Sequence, residues 1–485
     1  MAARTRIREA EFFRSTPGAA LNRRPSYAPG PASPARRNLL KWTAAAGLLA
    51  AFDSSRALAQ LASDYRALVC IFLAGGNDGE NTLVRFDTAG YQNYAGIRTP
   101  ASGINIPQGQ LLPIQPASTG VPFGFHPACG PLKQLFEQKQ LAVVANMGPL
   151  VAPSTKAGLE QQQAPRPANL FSHSDQQLAQ QSASYTGQVR LGWGGRIADR
   201  LDPFNAGTLF PALTSTAGSD IFINGATSVP LAIPIGLSFD LYTSNYPIPQ
   251  FDALREAAIR EMLAQSRDNV YDSVARIYAE RGLSSSSVAS PILRNPASAA
   301  APLFNGLDTK LARQLRNVAL LVEGRAQTGL KRQVFFVNHG EGEYDTHGSQ
   351  AGRQQSLLGD LSRSVKAFAD AMAAIGMARN VTAFTLSDFG RTFKPAANNG
   401  TDHGWGNYAF VIGGAVRGGD FYGTLPTQAL DGPDDFGTAG RWIPTTSIEQ
   451  YGATLCRWFG ISEGDLPYVF PNIGAFGDTS MGFVG

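Results

Sequence analysis

The chain has 485 residues, 43% hydrophobic and 16% charged, which is ample for a large core and excludes a solvated polyelectrolyte. Its formal charge of +4 misleads, because residues 1–59 hold ten of the 41 Lys and Arg but three of the 37 Asp and Glu. The remainder is near −3, so no basic patch argues for nucleic acid or anionic lipid.

In chain order, the first feature is "ARRNLLKWTAAAGLLAAF", where Arg36, Arg37 and Lys41 precede a modest apolar stretch. "RALAQ" follows, and Ala57-Leu58-Ala59 has the small-x-small form that a signal peptidase accepts. Arg-Arg-x-Leu-Leu-Lys resembles the twin-arginine export signal, with Leu39 where Phe is commoner. The apolar segment is about a dozen residues, too short for a bilayer core of roughly 30 Å. The expectation is a signal peptide over 1–59 read by the twin-arginine translocase, no stable membrane span, and a periplasmic or extracellular mature domain over 60–485. That route carries folded proteins, which suits one that takes up a cofactor first. Cys70, Cys129 and Cys456 are widely spaced, with no Cys-x-x-Cys pair, and read as buried thiols rather than a zinc site.

The mature chain opens on "ALVCIFLAGGNDGENT", an apolar strand over 67–74 running into a glycine turn with Asp78 at its tip. Further strands are expected at "LAVVANMG" (141–148), "QVFFVNHG", "VTAF" (381–384) and "YAFVIGG" (408–414). Unbroken apolar runs, rather than alternating ones, point to a sheet covered on both faces. Between the third and fourth runs, Leu358, Leu361, Val365, Phe368, Met372 and Ile375 step by three and four, which predicts an amphipathic helix. Strand, helix, strand at this spacing is a βαβ unit, so the fold class is α/β with a doubly wound sheet. The middle, about 205–330, has loop-rich stretches and two helical runs, and reads as a helical cap, insertion or flanking helices. Within it "SSSSVASPILRNPASAAAP" reads as a surface loop.

Polar residues collect where the strands end. Asp78 follows the first strand, Asp345 and His347 the third, Asp388 the fourth, and His403 precedes the fifth. Ligands of open α/β sheets bind beyond the carboxyl ends of the strands. Aspartate oxygens mixed with imidazoles suit a divalent ion, zinc or manganese ahead of calcium or magnesium. Singly, each residue has a plainer explanation as a turn residue or helix cap. Their recurrence, in a chain with five histidines, argues for a metal site. "DFG" at 388–390 is not a kinase signature, since the catalytic loop and lysine strand of kinases are missing.

"FLAGGNDGENT", "FSHSDQQ", "GWGGRIAD", "YDTHGSQ", "LSDFGRT", "GTDHGWG" and "GGAVRGGDFYG", in this order, resemble the bacterial domain-of-unknown-function family numbered 1501. That family is grouped with the alkaline phosphatase and sulfatase superfamily. The resemblance implies a three-layer α/β/α sandwich with a mostly parallel central sheet, and a metal-dependent hydrolase of phosphate or sulfate esters. It makes Asp78 the early metal ligand, Asp345 and His347 the middle pair, Asp388 the late aspartate and His403 the final histidine. Two departures stand out. The middle pair is Asp-x-His where phosphatases have Asp-x-x-x-His, and Phe389 stands where a histidine adjoins the late aspartate. Both leave room for one metal rather than two. For the nucleophile, Ser172 at a helix start with His173 beside it, and Thr82 near Asp78, are rivals. Arg391 pairs either with an anionic substrate or with a carboxylate of the fold. His126 and His339 read as structural. The expected substrate is a small-molecule or glycan ester; the alternative is a non-catalytic periplasmic or surface protein that keeps the fold to bind metal, glycan or a partner.

Overall fold

In a computed structural model, the described residues are 65–485 apart from 186–188, 202, 219, 234, 236–248 and 266–268. The export signal expected at 1–59 lies outside them.

The main sheet is built from β1 (Arg66–Leu73), β2 (Leu141–Gly148), β3 (Leu213–Ser215), β4 (Leu231–Ala232), β5 (Arg332–His339), β6 (Val381–Ser387), β7 (Asn407–Ile412), β8 (Phe421–Tyr422) and β9 (Thr446–Ser447). Its order is β8-β2-β7-β6-β1-β5-β3-β4, with β9 also pairing with β2. Strand β1 lies at the centre, parallel to β5 on one side and β6 on the other. Only β7 runs antiparallel to its neighbours, β2 and β6, so the sheet is mixed but mostly parallel. Five of these strands stand where the apolar runs predict them. The four short ones carry too few residues for a periodic signal.

Alternate residues of β1 serve two separate cores. Ala67, Val69, Ile71 and Leu73 pack on one face, and Leu68, Cys70 and Phe72 on the other. The first face is covered by α5 (Lys310–Glu323) and α6 (Gln350–Ala374), the second by α2 (Trp193–Ala198) and α7 (Ile448–Phe459). This is the three-layer α/β/α sandwich. Along α6, Leu358, Leu361, Val365, Phe368 and Met372 are all buried, as their spacing requires, each contributing about 2 kcal/mol of burial. Ile375, past the last turn, is half-buried. All three cysteines are free and buried. No helix among the described residues is long and apolar enough to cross a membrane.

In the middle of the chain, strands β3 and β4 join the main sheet and α5 packs against α6 as a flanking helix. Of the serine-rich run expected as a loop, 284–293 is instead the end of the helix α4 (Val270–Leu293), while 294–300 is non-helical, as expected. Ala289, Ile292 and Leu293 are buried in the core there, and this packing overrides the weak helix preference of serine. Pro291 lies inside the last turn, two residues before the helix end.

Candidate metal centre

The loop after β5 and the loop before β7 are brought against the loop after β1 by glycines. Gly75 has φ +112, and a Cβ there would stand 2.5 Å from the Asp345 amide nitrogen. Gly400 packs directly on the carbonyl of His347. Neither contact tolerates a side chain, so backbone packing sets where Asp345 and His347 lie.

Three of the five histidines converge on one oxygen. The Nε2 atoms of His347, His403 and His173 lie 3.0, 3.2 and 3.4 Å from Asp345 Oδ1. Their arrangement is fixed from behind. Asp388 is fully buried, and its Oδ2 accepts from His173 Nδ1 at 2.7 Å and from Gln177 Nε2 at 2.8 Å. The Phe171 carbonyl lies 2.7 Å from His403 Nδ1. A carboxylate and a carbonyl only accept, so both Nδ1 atoms carry hydrogen and both Nε2 atoms present lone pairs inward. His173 Nε2 is buried and finds no hydrogen-bond partner among the described residues. His347 and His403 meet through their Nε2 atoms at 2.8 Å, a contact that needs a proton or a cation between two lone pairs. An orphaned imidazole nitrogen, inward-facing lone pairs and a shared carboxylate oxygen fit a divalent cation.

Charges act on the cluster in both directions. The hydrogen bond that His173 donates to Asp388 holds its pKa above the ordinary value, against burial, so a cation bound at Nε2 competes with a proton there. Burial pushes His403 down, and the positive Arg391 adds to this while the Phe171 carbonyl opposes it. Burial disfavours the ionised Asp345, but Arg391 and then His347 win and hold its carboxyl below the usual range. Arg391 Nη2 donates to Asp345 Oδ1 at 3.0 Å.

Asp78, Asp388 and Thr82 stand differently from the expectation drawn for them. Asp78 is buried away from the cluster. Its oxygens take Arg98 at 2.7 and 3.0 Å, the amides of Glu80 and Asn81, and the Gln350 side chain. Its acceptor sites are thus filled by donors of the fold. Asp388 stands behind His173 as its orienting partner and gives the cluster no oxygen of its own. Thr82 is fully buried and donates to the Asp78 carbonyl at 2.7 Å, so its hydroxyl is not presented to a substrate. Ser172, by contrast, is the N-cap of α1 (His173–Ser182) yet makes no capping bond; its Oγ lies 3.1 Å from Ser174 Oγ. It sits between Phe171 and His173, both of which touch the cluster.

The ring of Phe389 packs with its centroid 4.8 Å from that of His173 and 4.6 Å from that of His403, walling one side of the cluster. Gln177 and Asp402 were not singled out from the sequence. Gln177 lies one helical turn after His173 within "FSHSDQQ", which was signal enough; Asp402 lies 3.9 Å from His347 Nδ1 and pairs with Arg441 at 2.8 Å. Nothing near Arg98 marks it in the sequence. Of the two remaining histidines, His339 bonds Tyr344 and Asp360, and His126 accepts from the Ala128 amide.

Residues 250–439 match the model of DUF1501, described as a protein of unknown function. The matched segment covers less than half of the chain. It holds Asp345, His347, Asp388, Arg391 and His403, while His173 lies before it. No curated protein matches the chain. Among solved structures, Ps i-CgsB in complex with k-i-k-neocarrahexaose is 10% identical, covering 86% of this chain and 75% of its own, at a TM-score of 0.34. The PsFucS1 sulfatase from Pseudoalteromonas sp. is 7% identical, covering 85% and 71%, at 0.33. Wild-type alkaline phosphatase PafA is 12% identical, covering 67% and 63%, at 0.27. At these identities and scores the likeness is remote.

Proposed function

We propose that the chain is an exported, metal-dependent hydrolase of phosphate or sulfate esters, with one divalent ion held by His173, Asp345, His347 and His403. The observation that carries this reading is the orphaned His173 Nε2, aimed with two further imidazole nitrogens at Asp345 Oδ1. Zinc or manganese suits this nitrogen-rich set better than calcium or magnesium, which prefer all-oxygen shells. A divalent ion there supplies Lewis acidity toward an ester oxygen.

The chain's own residues supply the rest. Ser172 offers a hydroxyl at the start of the ten-residue helix α1, beside backbone N–H groups suited to an oxyanion. Asp388 and Phe171 keep two imidazoles in the tautomer that binds metal. Arg391 fixes Asp345, and Phe389 excludes water from one side of the rings. The filled Asp78 carboxylate supports one ion rather than two.

The sealing of Asp78 and Thr82 also favours a second reading, a non-catalytic protein that keeps the fold and binds metal or glycan. Hydrolysis of aryl phosphate, phosphodiester and sulfate esters by metal-replete protein separates the two. Turnover with any member supports the hydrolase; full metal content with no turnover across the panel replaces it with the binding protein.

A further inference from the structure

A pair of helices leaves the body of the fold without a core of its own. α3 (Pro249–Ala264) packs against α4, and among residues 254–265 and 269–281 none is buried. The first half of α4 nonetheless carries Val270, Tyr271, Val274, Ile277 and Tyr278, all between 45% and 80% exposed. Leu254 and Met262 on α3 are exposed as well. Helices this short gain most of their stability from packing an apolar face, and here that face meets solvent. The apolar surface continues into a cleft of about 440 Å³ lined by Leu209, Phe210, Leu231, Ile277 and Tyr278.

We infer that this arm is the interface between two copies of the chain, which dock their helix pairs into a four-helix bundle. The spacing specifies a helix as occupant. Val270, Val274 and Ile277 step by four and three, and Tyr271 and Tyr278 repeat at seven, which is the seam that a partnering helix fills. The charge specifies a copy of this chain. Among the described residues from 254 to 281, four arginines balance four acidic residues, so the arm has no net sign to draw a polyanion or an anionic membrane. Its signs also alternate along each helix, as in the pairs Arg260–Glu256 and Arg276–Glu280, and such a surface is complementary to itself when turned through a two-fold axis. Two helices from each copy complete the smallest bundle that buries both stripes.

Sedimentation equilibrium of the protein purified from its native host tests this, beside Val274→Glu with Ile277→Glu and, separately, Tyr271→Ser with Tyr278→Ser. None of these side chains is buried in the single copy, so the variants keep its fold and metal content. The wild type is expected to be a dimer. Either double variant should raise the dissociation constant by about a hundredfold or more, as loss of two central anchors does. A wild type that stays monomeric at every concentration overturns the inference, as does a dimer that survives both variants. Wild-type monomers that float with anionic lipid vesicles, and lose this with Val274→Glu and Ile277→Glu, would assign the arm to a membrane instead.

Discussion

Asp388 holds His173 by a 2.7 Å bond to Nδ1 and so acts on the His/Asp cluster through an imidazole. The bond fixes which nitrogen faces inward, and the Gly75 amide at 3.0 Å and Gln177 fix the carboxylate in turn. Replacing such an orienting carboxylate weakens metal affinity by about 10- to 100-fold without removing a ligand. Asp388→Asn should therefore retain a metal-binding site of reduced affinity, whereas His173→Ala should lose more. Competition with a calibrated chelator measures both. Equal affinity in Asp388→Asn and wild type would remove the orienting role.

The Asp78–Arg98 pair is buried on both sides, at 0% and 1% side-chain exposure. Truncating one partner of such a pair leaves a charge with no counterpart and costs about 3–5 kcal/mol. Arg98→Ala should lower the melting temperature sharply, while the protein that remains folded keeps its metal. A loss of metal at unchanged melting temperature would return Asp78 to the ligand set.

Ser172 and Thr82 should behave oppositely. Ser172→Ala is expected to abolish ester hydrolysis at full metal content, since its hydroxyl is free of any capping bond. Thr82→Val loses the buried bond to the Asp78 carbonyl, about 1 kcal/mol of stability, and keeps turnover. Hydrolysis unchanged in Ser172→Ala would exclude that hydroxyl as nucleophile.

Glu449, at the start of α7, is buried, and its Oε1 has no partner among the described residues. Burial raises its carboxyl from 4.5 to about 7, against weaker opposing hydrogen bonds. Between these values the folded state holds a proton that the unfolded state has lost, so stability falls as pH rises through this window. Above it the cost is on the order of 3 kcal/mol. Glu449→Gln keeps the shape without the charge, and should flatten the decline in urea-unfolding stability from pH 5 to 8. A decline of the same size in the variant would assign it to other groups.

Long elements were legible because their patterns are long. The apolar runs at β1, β2, β5, β6 and β7 and the stripe of α6 each extend over several residues, and the sheet order then carried Asp345, His347 and His403 to one edge. Roles within the site were harder, because they depend on partners distant in sequence. Asp78 looks like a ligand until Arg98, 20 residues on, fills its oxygens. Asp388 looks like one until His173, 215 residues earlier, takes its place in front. His173 was read as part of the nucleophile's surroundings because "FSHSDQQ" shows a helix start and gives no hint of where its ring points. Ser284–Ser287 misled for a different reason: local preference favoured a loop, and the burial of Ile292 and Leu293 decided for helix.

Metal stoichiometry of the protein purified from its native host tests the central claim most directly. Elemental analysis should find one divalent ion per chain, zinc or manganese first. His403→Ala and Asp345→Asn should each lower that content while the fold persists, because the first removes an imidazole nitrogen of the cluster, the second removes its negative charge, and neither supports the core. Protein purified in this way with no divalent ion, or with a full equivalent that survives both substitutions, would contradict the account.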